Sequence, residues 1–421
     1  MNDPSTGGSH GRDLRIDFFR GAALYVILID HISFNPLTRF TYHRFGFSDA
    51  AEAFVFLSGL SCGIAYFLVL KRRGLNGLIA AVVKRAAIIY MYYVLASVAI
   101  IWIKSATASS ILGAGTLDEA FVACANNPWS AVWSAIFLME PPWLPGILVL
   151  YLALTIFVIP VFLVGAEQNA KLTLVVSGFI WLAPQFHQFG DIWKTMFPYF
   201  NPLAWQFLFA IGMFLGIQYH SRPRPPPSRR LRWILLAAWA IVTVSFAYKL
   251  LPFLAKQLHV DIGWIQLYDA GNEQFKYNLC AFRLVHFLSV ALLVATYVDA
   301  GNTALRWGGE LMIKTGRWSL QIFSLGTVLS LIATVVFATG SLSVIDKLVV
   351  NFGAVLLTAL AAVAFAKYYR VGKAADAGSD GVKSARYIAD PPHRIANLVG
   401  AAACTAAAST ADLEGSNAVG G

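Results

Sequence analysis

About ten apolar runs, separated by short loops that carry most of the cations, decide what this chain can fold into. They fall at roughly 16–34, 51–70, 86–103, 146–166, 171–185, 202–219, 232–254, 279–298, 318–338 and 343–366. Several approach or exceed the ~20 apolar residues that a helix needs to cross hydrocarbon, and the shorter ones fit by tilting or local thinning of the bilayer. With 58% hydrophobic and 13% charged residues, the chain has more apolar surface than a soluble protein can hide. The expected fold is all-α: a polytopic integral membrane protein of about ten transmembrane helices.

Cation placement sets the orientation. The formal net charge of +10, taken alone, would suggest nucleic acid, but the Lys and Arg residues cluster between apolar runs. One cluster is Lys71-Arg72-Arg73 with Lys84-Arg85, and another is Arg222, Arg224, Arg229, Arg230 and Arg232. Arg306, Lys314 and Arg317 form a third, and Lys367, Arg370 and Lys373 a fourth. Ten crossings place all four on the cytoplasmic side with both termini, whereas eleven would split them. The partner implied is the lipid bilayer, not nucleic acid.

Ala131–Met139 is too short to cross and is followed by Pro141, Pro142 and Pro145, so a re-entrant or interfacial element is expected near 131–145. Residues 1–13 read as a cytoplasmic segment, 14–370 as the membrane domain, and the Ala-, Ser- and Gly-rich 371–421 as a disordered cytoplasmic tail. Asp13, Arg15, Asp17 and Arg20 crowd the first apolar run, which reads as a retained span and not a cleaved leader. Cys62, Cys124, Cys280 and Cys404 have no metal-ligand spacing, so neither a metal nor a disulfide framework is expected. Aromatic residues of the outer loops, Trp143 among them, suit an interfacial belt, with a few available to stack on a sugar.

Chemistry is suggested first by Arg20 and His31. Eleven residues apart in one apolar run, they project from the same helical face about 16 Å apart along the axis. Ionisable groups at such depth usually face a polar cavity. Glu52 opens the second run at a depth comparable to His31, so a His–Glu pair is available in which the carboxylate fixes the imidazole tautomer. Asp30 diverges from His31 by about 100° and is free to bond a neighbouring helix instead. Asp17, three residues before Arg20, can pair with it on one turn. For Arg20 itself, binding an anionic donor and snorkelling to cytoplasmic headgroups both remain open.

The small residues Ser58, Gly59, Ser61, Cys62 and Gly63 permit close helix packing, or alternatively leave room for an acyl-carrying arm. Arg283 and His286 share a face in the outer half of their run and are candidates for substrate contact. Asn201, Trp205 and Gln206 add candidate polar lining from the same side, and Arg317 could meet phosphates from the cytoplasm.

Leu14-Arg-Ile-Asp-Phe-Phe-Arg-Gly21 followed by His31, then Phe54-Val-Phe-Leu-Ser-Gly59, resembles the integral-membrane acyltransferase superfamily of type three. Ala50–Gly59, Phe200–Gln206 and Gly316–Phe323 are closer still to the OpgC group, and the likeness runs from about 14 to 366. That group succinylates osmoregulated periplasmic glucans at the bacterial inner membrane, with succinyl-CoA the presumed donor and no permanently bound cofactor. By this resemblance His31 is the catalytic histidine and Arg20 its partner motif residue. Trp318 departs from the pattern, since His is common at that place, and Glu140-Pro-Pro-Trp-Leu-Pro145 follows it only loosely.

The expectation is therefore acyl transfer with His31 as general base, supported by Glu52 or Asp30. The donor would dock near Arg20, Asp17, Ser58, Lys84, Arg85 and Arg317. The glucan would meet Arg283, His286, Asn201, Trp205, Gln206 and Trp143. Acetyl transfer to another periplasmic or lipid-linked glycan is an alternative within the same chemistry. A secondary transporter relaying through Asp17, Arg20 and His31 is the rival from another class.

Overall fold

The computed structural model describes residues 13–111, 126–139, 142, 144–186, 191–219, 228–259, 273–298 and 309–379. Every regular element among them is helical. The helices are α1 (Leu14–Asp30), α2 (Ala50–Ile111), α3 (Pro128–Ile136), α4 (Gly146–Ala153), α5 (Ile159–Phe186), α6 (Asp191–Met196) and α7 (Pro202–Gln218). There follow α8 (Arg229–Leu258), α9 (Glu273–Tyr277), α10 (Ala281–Tyr297), α11 (Gly309–Arg317), α12 (Ser319–Thr339) and α13 (Val344–Ser379).

Among the described residues, five helical segments are long and apolar enough to cross a membrane: Ala50–Ala108, Gly146–Phe186, Arg229–Leu251, Ser319–Thr339 and Val344–Tyr368. Two of them contain a break, at Gly74 (φ 65°) and at Asn169 (φ −152°, ψ 96°). Each break falls between two of the apolar runs read from the sequence. Lys71 and Glu167, beside the respective breaks, pair at 3.0 Å, so both breaks lie at one end of the helices. The positive φ of Gly74 is a conformation that a Cβ would oppose. The helices Pro202–Gln218 and Ala281–Tyr297 are apolar but shorter; at 17 residues each, they measure about 26 Å.

Backbone-to-backbone seams hold the bundle. A Cβ on Gly59 or Gly63 of α2 would strike the Phe209 or Met213 carbonyl of α7, and one on Gly212 or Gly216 would strike Phe56 or Leu60 in return. Small-xxx-small spacing on both helices permits this approach. Gly59 and Gly63 are therefore packing residues and leave no room for an acyl arm. A second seam joins α1 to α11, with Gly21 on the Met312 carbonyl and Gly316 on that of Asp17.

Two expectations on organisation meet described residues. The element near 131–145 contains α3, nine residues long and hence about 14 Å, too short to cross. The last helix continues to Ser379, into the Ala-containing stretch read from the sequence as the start of the tail. Residues 380–421, Trp143, Cys124, Arg222, Arg224 and Arg306 lie outside the described residues.

Candidate functional site

The site starts from the way α1 ends. His31 is the C-cap of α1, and its backbone N–H bonds to the carbonyls of Ile27 and Ile29. Its ring nitrogen Nδ1 also lies 2.7 Å from the Ile27 carbonyl oxygen. A carbonyl only accepts, so Nδ1 carries the proton and Nε2 is the basic nitrogen. The tautomer-fixing part expected of Glu52 is thus taken by the turn of α1 itself.

The chain after α1 is tied down by polar side chains. Asp30 accepts from Thr41 Oγ1 at 2.5 Å and stands 3.2 Å from His43 Nδ1. Asn35 and Asn351 exchange amide hydrogen bonds of 2.8 and 2.9 Å in the core. Asp30 therefore bonds the loop in place of a neighbouring transmembrane helix.

Glu52 belongs to a second cluster at the start of α2. Asp49 Oδ1 accepts from the Ala51 amide and Glu52 Oε2 accepts from the Asp49 amide, both at 2.8 Å, which is a capping box. The remaining carboxylate oxygens draw in cations from α9 and α10. Arg283 Nε donates to Glu52 Oε1 at 2.6 Å, Arg283 Nη2 to Asp49 Oδ2 at 3.0 Å, and Lys276 Nζ reaches Asp49 Oδ2 at 2.8 Å. Lys276 also lies 5.7 Å from the centroid of the Phe200 ring. Burial alone would raise the Asp49 carboxyl, but the Lys276 and Arg283 cations hold it well below its ordinary value of 3.8.

These groups surround a cavity of about 750 Å³ whose walls include His31, Asp30, Asp49, Lys276, Arg283 and Phe200. Cavities of about 300–1,000 Å³ are usual for small-ligand sites. On its other side His31 borders a void of only about 10 Å³, among Leu24, Phe323, Thr327, Ser330 and Thr358. That is room for about one water.

The residues expected to bind the donor gather at the opposite end of α1. Arg20 is buried and donates from Nη2 to the Leu57 carbonyl at 2.9 Å and to Ser61 Oγ at 2.6 Å. Asp17 faces Arg317 across the α1–α11 seam, its Oδ2 3.5 Å from Nε. Lys84 and Arg85 are exposed on α2, and Ser58 lies beside the Tyr151 hydroxyl. Among the described residues the cavity at His31 is lined by none of these.

Of the acceptor set, Arg283 lines the cavity, and His286, Asn201, Trp205 and Gln206 brace the segments around it. His286 Nδ1 bonds Ser48 Oγ at 2.8 Å, and its ring stacks on Tyr42, fixing the 42–48 loop. Asn201 caps α7 through the Leu203 amide and bonds Asn278 at 3.0 Å. Trp205 Nε1 donates to the carbonyls of Lys276 and Tyr277, and Gln206 exchanges hydrogen bonds with Ser177. Motif residues read as lining thus position Lys276 and the α7 entry from behind; Trp143 lies outside the described residues. Sequence reasoning missed Asp49 and Lys276. Asp49-x-x-Glu52 before an apolar run is a capping-box signature, and Lys276 is a cation in a loop that the sequence reading puts on the non-cytoplasmic side, where the positive-inside bias disfavours one.

A family model described as OpgC protein matches residues 12–370. No curated protein and no solved structure matches the chain.

Proposed function

The chain belongs to the OpgC family, and from that premise we propose a bacterial inner-membrane O-acyltransferase that moves succinyl from cytoplasmic succinyl-CoA to hydroxyls of periplasmic glucans. The observation that carries this reading is His31, with Nδ1–H engaged by Ile27 and its ring on the wall of a polar cavity. His31 Nε2 takes the proton of a glucan hydroxyl as the oxygen attacks the thioester carbonyl. The C–O ester bond forms, the C–S bond breaks, and the proton passes from the imidazolium to the departing thiolate. General-base help of this kind is worth about 10²–10⁴ in rate.

The donor phosphates would dock on the cationic end of α1, where Arg317, Lys84 and Arg85 suit phosphate oxygens and Arg20 forms the inner wall. Arg20 and His31 are about 16 Å apart along α1, the span that the pantetheine arm has to cover. On this reading the arm reaches His31 only when the packing of Leu24, Ile27 and Phe323 around the small void opens. The glucan enters the large cavity, with Phe200 and Tyr199 available for stacking on sugar faces.

The test feeds labelled succinyl-CoA and purified glucan to the detergent-solubilised protein. Ester label on glucan without any sealed compartment is the expected result. Label that appears only as uptake into sealed vesicles would assign a transporter, and transfer from acetyl-CoA alone would change the acyl group.

A further inference from the structure

The charge of the cavity wall points beyond a neutral sugar. In the inner wall Lys276 and Arg283 are matched by Asp49 and Glu52 at 2.6–3.0 Å. Asp30 stands against His43 and Thr41. The same cavity is also lined by Arg44 from the 42–49 loop, Lys194 from α6 and Lys249 from α8. Arg44 and Lys194 are exposed and Lys249 is half-buried. Three cations from three separate elements thus lie on one cavity with Asp30 as the remaining carboxylate of its described lining. A neutral glucan hydroxyl can accept a hydrogen bond from them but brings no charge to meet theirs. An acylated glucan does, because each transfer converts a thioester to an ester, releases one thiol, and leaves the distal carboxylate of the succinyl group on the sugar. The acceptor becomes one charge more negative at every turnover.

We propose that Arg44, Lys194 and Lys249 form a subsite for the carboxylate of an already succinylated glucan, so that one modification favours the next on the same chain. The inference rests on the succinyl-transfer reading above. Solvent-exposed carboxylate–cation contacts raise affinity about two- to five-fold each, and the effect fades in high salt, where the screening length falls to a few ångströms.

Two measurements test it on the full-length protein in non-ionic detergent. Binding of a glucan oligomer, unmodified or chemically succinylated and without any donor, is compared in about 0.05 M and about 0.5 M salt, which brackets the range where screening sets in. The modified oligomer should bind at least about five-fold tighter in low salt, and the ratio should fall toward one in high salt and in the Arg44→Gln/Lys194→Gln/Lys249→Gln variant. The Arg44→Gln/Lys194→Gln variant, changed only at exposed positions, should give an intermediate ratio. Mass spectra of early products should show more multiply substituted glucan than independent transfers predict, and that excess should vanish in the triple variant. Equal binding of the two oligomers, or an excess that survives the triple variant, overturns the subsite. A preference that requires added phosphatidylglycerol would assign the rim to lipid headgroups and also overturns it. Absence of any transfer combined with the expected binding ratio would instead remove the succinyltransferase reading and leave an anion-selective glucan site.

Discussion

Replacing Arg283 by Gln should be among the most damaging single changes at the site, and replacing Glu52 by Gln as well should repair much of the harm. Glu52 is fully buried, Arg283 is 5% exposed, and their contact is 2.6 Å. With Lys276 and Asp49 they form a balanced set of two cations and two carboxylates. Arg283→Gln leaves two carboxylates against one cation in a buried position, and breaking such a pair from one side costs about 3–5 kcal/mol. The double variant keeps the Asp49–Lys276 pair neutral. The side-chain carbonyl that Glu52→Gln leaves in place can still accept from the Asp49 amide, since Glu and Gln both serve in a capping box. A coupling of about 2–3 kcal/mol between the two positions follows for groups in one network. The assay is a double-mutant cycle read by thermal unfolding in detergent, with succinyl transfer measured on the same samples. The double variant should melt well above Arg283→Gln and recover transfer, because His31 takes its tautomer from Ile27. A double variant as unstable as the single one would refute the charge-balance argument. A stable but inactive double variant would give Glu52 or Arg283 a direct part in the reaction, and Glu52→Gln alone then separates the two.

Further expectations concern other parts of the molecule. His31→Ala should lower transfer by about 10²–10⁴ while the protein stays folded and membrane-inserted; near-normal turnover would remove His31 from the chemistry. Gly59→Leu or Gly212→Leu should abolish the monodisperse peak in size-exclusion chromatography, since either side chain meets the facing backbone of the α2–α7 seam; a normal peak would contradict that seam. Asp49→Asn should destabilise the protein at neutral pH. The Asp49 carboxyl is held well below its ordinary 3.8 when folded, so its stabilisation is complete above that value and is lost as pH falls through the folded value. The stability gap between the two proteins should accordingly stay level from about pH 6 to 8 and narrow below about pH 4; a gap independent of pH would rule out the ion pair as its source. Arg20→Ala should raise the KM for donor more than that for glucan, and equal changes in both would place Arg20 in the packing of α1 on α2 alone.

Much of this molecule was already determined along the chain. Apolar length dictates helices in lipid, so the all-helical fold and the candidate crossings were legible, as were the breaks near Gly74 and Asn169, which interrupt apolar periodicity. The OpgC-like motifs carry the family in the sequence itself. Only the tertiary structure decided which partner each charge takes. Arg283 lies 231 residues from Glu52 and 234 from Asp49, and no local rule selects among the acids a buried cation can reach. Asn201, Trp205 and Gln206 looked like cavity lining because polar residues at a span entrance allow it, yet their hydrogen bonds run backward to Asn278, Lys276, Tyr277 and Ser177. Sequence specifies what each helix must bury; the direction in which each polar side chain satisfies itself depends on the neighbour that arrives, and that is a property of the assembled bundle.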